Sequence, residues 1–261
     1  AEFAASEDAE RDAPVPALAS IRRGLGDRPA RLARPEAAVM LYRQRDRWSC
    51  GYRSFQTVLG ALRRSGEAYG VALAKAGLCF PGAVANVRGL QKAVSSAWAR
   101  GFDAEGGRRS RESLTRRRGP DAPFVGSDEW IGCCEAAAAL RAAGVRANVE
   151  GYDGRSGQTA RELVAHLAAY FQDEGSNAWG SRALPPVMLC FARHNRLVVG
   201  ATRTLAGPAL IFLDPKWHGE PRLYEARERD LLKSCPAGRF ECLTVAPGLR
   251  DGLPGNPNHK V

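Results

Sequence analysis

The period of hydrophobic and polar positions changes part-way along the chain. Up to about residue 172, apolar residues recur mainly at helical spacing, as in the run that starts at Tyr52 and stops at Ser65-Gly66. Cys50 therefore lies at or just before a helix N-terminus. The pattern predicts helices over 52–65, 88–100, 131–143 and 160–172, with an alternating strand at 145–152 before the last of them.

After residue 172 short apolar runs replace the helical spacing. Three of them follow one another through turn residues, as in a β-meander. A further helix is predicted over 224–233 and a last strand over 240–245. Helices first and an antiparallel sheet later predict an α+β domain. The three runs cover 186–192, 196–203 and 209–214.

The two ends of the chain differ in composition from its middle. Residues 1–36 are rich in Ala, Arg, Asp, Glu and Pro and hold few large apolar groups, so we expect them to be mostly flexible, apart from one short helix at 18–25. Residues 251–261 are rich in turn formers and are expected to fray. One domain over 37–250 remains. The first Met is Met40, which indicates a piece of a longer protein.

Composition narrows the class of protein. The chain has 261 residues, 44% hydrophobic and 25% charged, which is an ordinary globular mixture. It contains no apolar run of about 18 residues and no leader pattern, so we expect no membrane association and an intracellular protein of the cytoplasm or nucleus. The seven cysteines are scattered without a CxxC pair. We therefore expect reduced thiols, no metal and no cofactor.

The net charge of +10 raises the question of nucleic-acid binding. Much of this charge is local, in RRSRESLTRRRGP at 108–120. The stretch lacks the interleaved aromatic residues that single-strand binding requires. We interpret it as a solvated, mobile loop rather than a functional patch, and we do not expect this domain to bind nucleic acid.

Cys50, in QRDRWSCGYR at 44–53, is the candidate nucleophile. A helix N-terminus lowers the pKa of a thiol, and the thiolate is the reactive form. Gly51 lets the chain turn tightly and leaves backbone N–H groups open to a substrate carbonyl. Gln44 is a candidate second donor to an oxyanion, and loss of such a donor costs about 2.7–4 kcal/mol. Taken alone, Cys50 also fits a buried thiol and Gln44 a surface polar residue.

A thiol nucleophile needs a base, and four histidines are available. His166 lies inside a predicted helix and His259 in the tail. His194 lies between two apolar runs and can project from a strand end, whereas His218 follows the strand that ends at Asp214. A carboxylate at that sheet edge can fix the tautomer of a histidine and stabilise its imidazolium form. On these local settings His194 and His218 both remain candidates for the base.

Several ordered motifs resemble one protease family. Over about residues 40–245 the chain is similar to the catalytic domain shared by the ubiquitin-fold-modifier-specific proteases and the ZUFSP-type deubiquitinases. The resemblance implies a papain-like cysteine protease fold, whose helical part carries the nucleophile and packs on an antiparallel sheet. It implies catalytic roles for Cys50, His194, Asp214 and Gln44. The motifs are WSCGYRSFQ (48–56), SSAWARGFDAEG (95–106), EWIGCCEAAAALRAAGVRANV (129–149), RHNRLVVGATR (193–203) and LIFLDP (210–215).

The position of the base separates two branches of this family. The modifier-specific proteases carry an Asp-Pro-His run, whereas ZUFSP-type enzymes place the histidine on the preceding strand. RHNRLVVG followed by LDPKWH resembles the second arrangement. The resemblance therefore favours His194 as the base, with His218 as the alternative, because His218 departs from the Asp-Pro-His pattern by two residues. The resemblance implies a deubiquitinase that cleaves after the C-terminal Gly-Gly of ubiquitin, with lysine-sixty-three-linked polyubiquitin as the preferred substrate. The alternatives are a protease for the ubiquitin-fold modifier, whose tail ends in Val-Gly, and an inactive domain that binds ubiquitin or nucleic acid.

Four further residues are candidates for substrate contacts. The tail of ubiquitin carries arginines, so a cleft that accepts it should offer carboxylates. Asp128 and Glu129 precede the Trp-Ile-Gly motif and Glu135 follows it, although a carboxylate there also suits a helix N-terminus. Trp48 is a candidate wall for the channel of the two glycines, or a core residue.

Overall fold

A computed structural model describes most of the chain between residues 14 and 249. The described residues are 14–34, 39–153, 157–172, 184–217, 221, 223–235 and 238–249. Eight helices lie in this part of the chain: α1 (Leu18–Leu25), α2 (Cys50–Ser65), α3 (Glu67–Lys75), α4 (Val87–Ala99), α5 (Ala104–Arg118), α6 (Cys133–Ala142), α7 (Gly157–Gln172) and α8 (Glu228–Ser234).

Most of the eleven described strands belong to one antiparallel sheet. The strands are β1 (Val15–Pro16), β2 (Ala30–Leu32), β3 (Met40–Leu41), β4 (Cys79–Phe80), β5 (Ala83–Val84), β6 (Val145–Asp153), β7 (Val187–Phe191), β8 (His194–Thr204), β9 (Gly207–Leu213), β10 (Glu225–Ala226) and β11 (Arg239–Leu249). The sheet has the order β10-β9-β8-β7-β11-β6, and β2 adds to the far half of β8. Two small pairs, β1-β3 and β4-β5, complete the strands.

The central strands are covered by helices on both faces. Successive residues of β8 and β9 are buried, so neither face of these strands is open to water. Helices α2 and α7 both contact β8. The first thirteen residues of α2 are all buried, because this helix crosses the centre of the molecule. The predicted α+β arrangement, with the nucleophile helix against an antiparallel sheet, is present.

The N-terminal segment departs from the expected flexibility where the structure describes it. Helix α1 has the predicted bounds, and its Leu18, Ile21 and Leu25 belong to the main core. Strand β2 joins the sheet, and the Thr202 hydroxyl donates to the carbonyl of Pro29. These few apolar residues are spaced on one helix face, so a short segment buries enough surface to be held in place.

The Arg-rich stretch is a helix and not the predicted loop. Asp103 caps α5 by accepting from the backbone N–H of Gly106, and Arg108 pairs with Glu105 and Glu112 along the surface. At Gly107 an added Cβ would lie 2.8 Å from the ring of Trp98, so only glycine allows this close approach. Of the buried residues of α5, Gly106, Gly107 and Ser110 are small and Leu114 alone is a large apolar residue, so hydrophobic periodicity does not detect the helix.

The predicted helix over 224–233 is also shorter than expected. Strand β10 occupies its first residues and pairs with β9, and α8 begins only at Glu228. None of the described helices is long and apolar enough to cross a membrane.

Candidate active site

Cys50 is the first residue of α2 and is 2% exposed. The aligned peptide dipoles of the helix therefore point their positive end at the sulfur. Gly51 packs directly on the backbone of a neighbouring segment, because a Cβ at this position would collide with the carbonyl oxygen of Ile131. The start of the helix is thus seated against the 129–131 segment.

His194 begins β8 directly after a two-residue turn. Ala192 and Arg193 both have positive φ, 49° and 60°, and Phe191 pairs with His194 across the hairpin. Such turns normally contain Asn or Gly, so two side-chain residues in this conformation cost about 1–2 kcal/mol each. The turn places the imidazole at the end of the sheet that the nucleophile helix meets.

Asp214 follows the last residue of β9 and receives three hydrogen bonds. The imidazole Nε2 of His194 lies 2.9 Å from Oδ1, Arg196 Nε donates to Oδ2 at 2.8 Å, and the backbone N–H of Lys216 donates to Oδ1 at 2.9 Å. The side chain of Asp214 is only 7% exposed. Burial by itself would raise the pKa of Asp214, but its bonds to His194, Lys216 and Arg196 lower it, so the group is a carboxylate.

The thiol and the imidazole shift each other's pKa in opposite directions. Burial opposes the charged form of each group. For Cys50, the favourable interactions with His194, the Asn195 backbone and Trp130 outweigh burial and lower the pKa of the thiol. For His194, the interactions with Asp214 and Cys50 outweigh burial and raise the pKa of the ring. These directions favour a thiolate–imidazolium pair.

Asp46 holds Gln44 against the turn that precedes Cys50. The Gln44 side chain is buried, and its Nε2 donates to Asp46 Oδ1 at 3.2 Å. The same oxygen accepts the backbone N–H groups of Trp48 at 2.9 Å and Ser49 at 2.7 Å. A side-chain carboxylate thus closes the turn before the helix and orients the amide. Asp46 had no role in the sequence interpretation, although an Asp ahead of a helix start is a recognisable signal.

Replacing Asp46 by alanine should loosen this turn. Because two backbone N–H groups and the Gln44 amide lose their acceptor, we expect a loss of about 1 kcal/mol in the free energy of unfolding, as for a lost helix cap. We also expect a fall of about tenfold in kcat/KM. Urea unfolding and steady-state kinetics measure the two effects. Asp46→Asn keeps an acceptor oxygen and should lose less of both, and equal losses in the two variants would contradict this role.

The three carboxylates among the predicted substrate contacts already have partners. Arg117 of α5 forms ion pairs with Asp128 and Glu129. Glu135 Oε2 accepts the backbone N–H of Gly132 at 2.7 Å, as a cap of α6. Trp48 is half-buried and stacks edge-on against Tyr52, with 5.6 Å between the ring centroids.

The other candidates lie apart from this group or outside the described residues. His166 is on α7, where it contacts Tyr152 and Glu150. His218 and His259 both lie outside the described residues. Within the described ranges no group of three or more His, Cys, Asp and Glu side chains could hold a metal ion.

Three further residues tie the site together. Tyr52 OH donates to the carbonyl of Glu129 at 3.0 Å, and Asn195 Nδ2 donates to the carbonyl of Ile131 at 3.1 Å. The indole Nε1 of Trp130 lies 3.3 Å from Cys50 Sγ. Sequence reasoning noted Tyr52 and the Trp-Ile-Gly motif but assigned neither Trp130 nor Asn195 a role, because these contacts join segments that are far apart in the chain.

A family model described as peptidase family C78 matches residues 39–236. The chain belongs to this family. As a C78 peptidase it is 30% identical over 176 residues to the human zinc finger-containing ubiquitin peptidase 1, across 64% of this chain and 27% of that protein. The mouse protein of the same name is 29% identical over 177 residues, with the same shares. The chain spans about a quarter of the length of these curated relatives.

The fold of the C78 peptidase is also found in a solved structure. The crystal structure of UfSP from C. elegans matches 93% of this chain and 38% of that chain, with a TM-score of 0.56 and 16% sequence identity. The likeness confirms the predicted papain-like protease fold. The predicted resemblance to the ZUFSP and modifier-specific protease family is likewise confirmed.

Proposed function

We propose that this chain is a thiol isopeptidase that cleaves after the C-terminal Gly-Gly of ubiquitin, with lysine-sixty-three-linked polyubiquitin as its preferred substrate. One observation carries the chemistry: Cys50 at a helix N-terminus interacts with His194, which is bonded to the buried carboxylate of Asp214. The ubiquitin peptidases among the curated relatives support the choice of substrate, because their identity to this chain is near 30%.

The first half of the reaction forms an acyl-enzyme. The Cys50 thiolate attacks the carbonyl carbon of the terminal glycine, a C–S bond forms, and the carbonyl electron pair moves onto oxygen. The Gln44 amide and the backbone N–H of Cys50 donate to that oxyanion. The carbonyl then re-forms as the C–N bond breaks, and the His194 imidazolium gives its Nδ1 proton to the leaving lysine amine.

Water completes the cycle. Neutral His194 takes a proton from water, the hydroxide oxygen attacks the thioester carbon, and the C–S bond breaks. The products are the thiolate, paired again with the His194 imidazolium, and the ubiquitin carboxylic acid, which loses its proton to solvent and leaves as the carboxylate. Throughout, Asp214 accepts from the imidazole Nε2–H and keeps Nδ1 free for proton exchange with the sulfur side.

The acidic residues near Trp130 are the proposed contacts for the arginines of the ubiquitin tail. Arg117 pairs with Asp128 and Glu129 in the free protein, and Arg118 also pairs with Asp128, so a basic tail has to exchange with these two arginines. Such an exchange replaces one ion pair by another and adds little affinity, but it excludes tails without positive charge. One carboxylate oxygen of Glu135 is occupied in the helix cap. Glu135 therefore contributes its charge to the proposed contact, and does not offer both oxygens to a substrate arginine.

Activity probes test the substrate. Ubiquitin and the ubiquitin-fold modifier are each given the same C-terminal electrophile, and the chain is incubated with both beside a linkage panel of ubiquitin chains. We expect covalent capture of the ubiquitin probe and fastest cleavage of the lysine-sixty-three-linked chain. Capture of the modifier probe alone would assign the other substrate class, and cleavage of all linkages at one rate would remove the linkage preference.

The pH dependence of kcat/KM should show the titration of the Cys50 thiolate and the His194 imidazolium. Because the pKa of Cys50 is lowered, the acid limb should lie below the ordinary thiol range near about 8.5. Because the pKa of His194 is raised, the alkaline limb should lie above the ordinary range near about 6.5. The result is a bell with a plateau around neutrality, measurable with a fluorogenic ubiquitin substrate. An acid limb centred at the pKa of a free thiol would contradict the pair.

A further inference from the structure

The indole of Trp130 contacts Cys50, the proposed nucleophile, but it has no role in the reaction steps proposed above. Its Nε1 lies 3.3 Å from Cys50 Sγ, within hydrogen-bond range for sulfur. An indole nitrogen is a donor only, so the sulfur must be the acceptor. A thiolate accepts such a bond far better than a neutral thiol, because the bond is then charge-assisted.

The donor is held in place from both sides. Before it, the carbonyl of Glu129 accepts from Tyr52 OH of the nucleophile helix at 3.0 Å. After it, the carbonyl of Ile131 accepts from Asn195 Nδ2, next to the proposed base, at 3.1 Å. The backbone N–H of Gly132 is bound by Glu135 at 2.7 Å. The 129–131 segment is thus fastened to the helix that carries Cys50 and to the strand that carries His194, which makes the indole a preorganised donor.

We propose that Trp130 is a further catalytic residue, whose indole N–H donates a hydrogen bond to the Cys50 thiolate in the free enzyme and aims the sulfur for attack. The proposal rests on the proposed function only in taking Cys50 as the nucleophile. Glutamine and backbone donors serve the oxyanion, whereas Trp130 serves the sulfur.

The assignment has a distinctive consequence for pH dependence. Charge resides on the sulfur before attack and passes to the carbonyl oxygen as the C–S bond forms, so the indole bond is strongest in the free thiolate. Removing the donor therefore lowers the fraction of thiolate. The loss of rate should be largest at low pH, where Cys50 is otherwise protonated, and should shrink as the pH rises.

Site-resolved alkylation of the native chain tests this without any substrate. Trypsin cuts after Arg47 and Arg53, so the peptide WSCGYR contains Cys50 as its only cysteine. The rate of iodoacetamide addition to this peptide is measured by mass spectrometry against pH, in the wild type and in Trp130→Phe. We expect the midpoint to rise by about one pH unit in the variant. We also expect kcat/KM to fall about tenfold at pH 6 and less than threefold at pH 8.5.

The matched control is Trp98→Phe. It also removes an indole N–H, but this one has no hydrogen-bond partner among the described residues, so the Cys50 midpoint should stay unchanged. If Trp130→Phe does not fold, as judged by circular dichroism, benzothienylalanine placed at 130 retains the bicyclic shape and replaces the N–H by sulfur. The same upward shift is expected from it.

The outcomes separate the two proposals. A low wild-type midpoint that does not move in either Trp130 variant overturns the role of the indole and leaves the nucleophile assignment intact. An ordinary thiol midpoint in the wild type overturns Cys50 as an activated nucleophile, and with it the proposed function. A loss of activity that is equal at every pH also overturns the role assigned to Trp130.

Discussion

With Cys50 replaced by alanine, the chain is expected to lose covalent capture of a ubiquitin probe and at least a factor of about 10⁴ in the rate of chain cleavage. Neither Cys190 nor Cys133 can take over the attack. Burial raises the pKa of Cys190 to about 12, and burial also raises the pKa of the fully buried Cys133 well above the ordinary thiol value. Thiols in these states carry almost no thiolate at neutral pH.

Cys190→Ala is the matched control for this experiment. It removes a half-buried, neutral thiol close enough to Cys50 to be electrostatically coupled to it, but it leaves Cys50 in place. We expect probe capture within about twofold of the wild type, since a partly exposed Cys-to-Ala change disturbs packing little. Undiminished capture in Cys50→Ala would refute the assignment of Cys50 as the nucleophile. It would leave the alternative hypothesis of an inactive binding domain.

Replacing Asp214 by asparagine is expected to lower kcat by about 10² to 10⁴, in line with the loss seen when a catalytic histidine loses its carboxylate. The amide cannot stabilise the imidazolium form of His194, and it leaves the Arg196 guanidinium facing a neutral group. The pKa of Cys50 should rise as well, because the imidazolium is one of the interactions that lower it. Steady-state kinetics and alkylation of the WSCGYR peptide measure the two effects.

Two comparisons make the Asp214→Asn result interpretable. The exposed Asp121 offers a control, since Asp121→Asn should leave both kcat and the alkylation midpoint unchanged. Thermal unfolding should show a loss of stability in Asp214→Asn, because a buried charge pair is broken. A variant that stays folded and keeps kcat within threefold of the wild type would show that His194 needs no carboxylate.

The secondary structure was predictable wherever burial left a periodic pattern. The helices at 18–25 and 88–100 and the meander over β7 to β9 were placed within a few residues, since each buries one regular set of apolar side chains. The helix at 104–118 was missed because it makes its contact to Trp98 with glycine, and its exposed faces carry charge pairs that look like a solvated loop. Helix α3 was not predicted either.

Some residues of the candidate site could also be predicted from the sequence, and others could not. Cys50, His194 and Asp214 were recognisable from local settings, since each lies at a boundary of a helix or strand that the sequence marks. Cys50 is at a helix start, His194 at a strand start, and Asp214 between a strand and a proline. Arg117 was not, because its partners Asp128 and Glu129 approach it only when α5 folds back on the segment before α6. Side chains paired across such distances have no periodicity to detect.

The sequence by itself determined the class of the domain, the order of those elements that it predicted, and the candidate nucleophile, base and carboxylate, because these depend on local spacing, on residue type and on the resemblance to a known family. Only the tertiary structure decided which groups act on the sulfur. Trp130 reaches Cys50 across eighty residues of chain, and Asn195 binds the carbonyl of Ile131 across sixty-four. Hydrogen bonds of this kind require two backbones fixed at an ångström-scale distance, and that distance is set by the packing of helix α2 against the sheet.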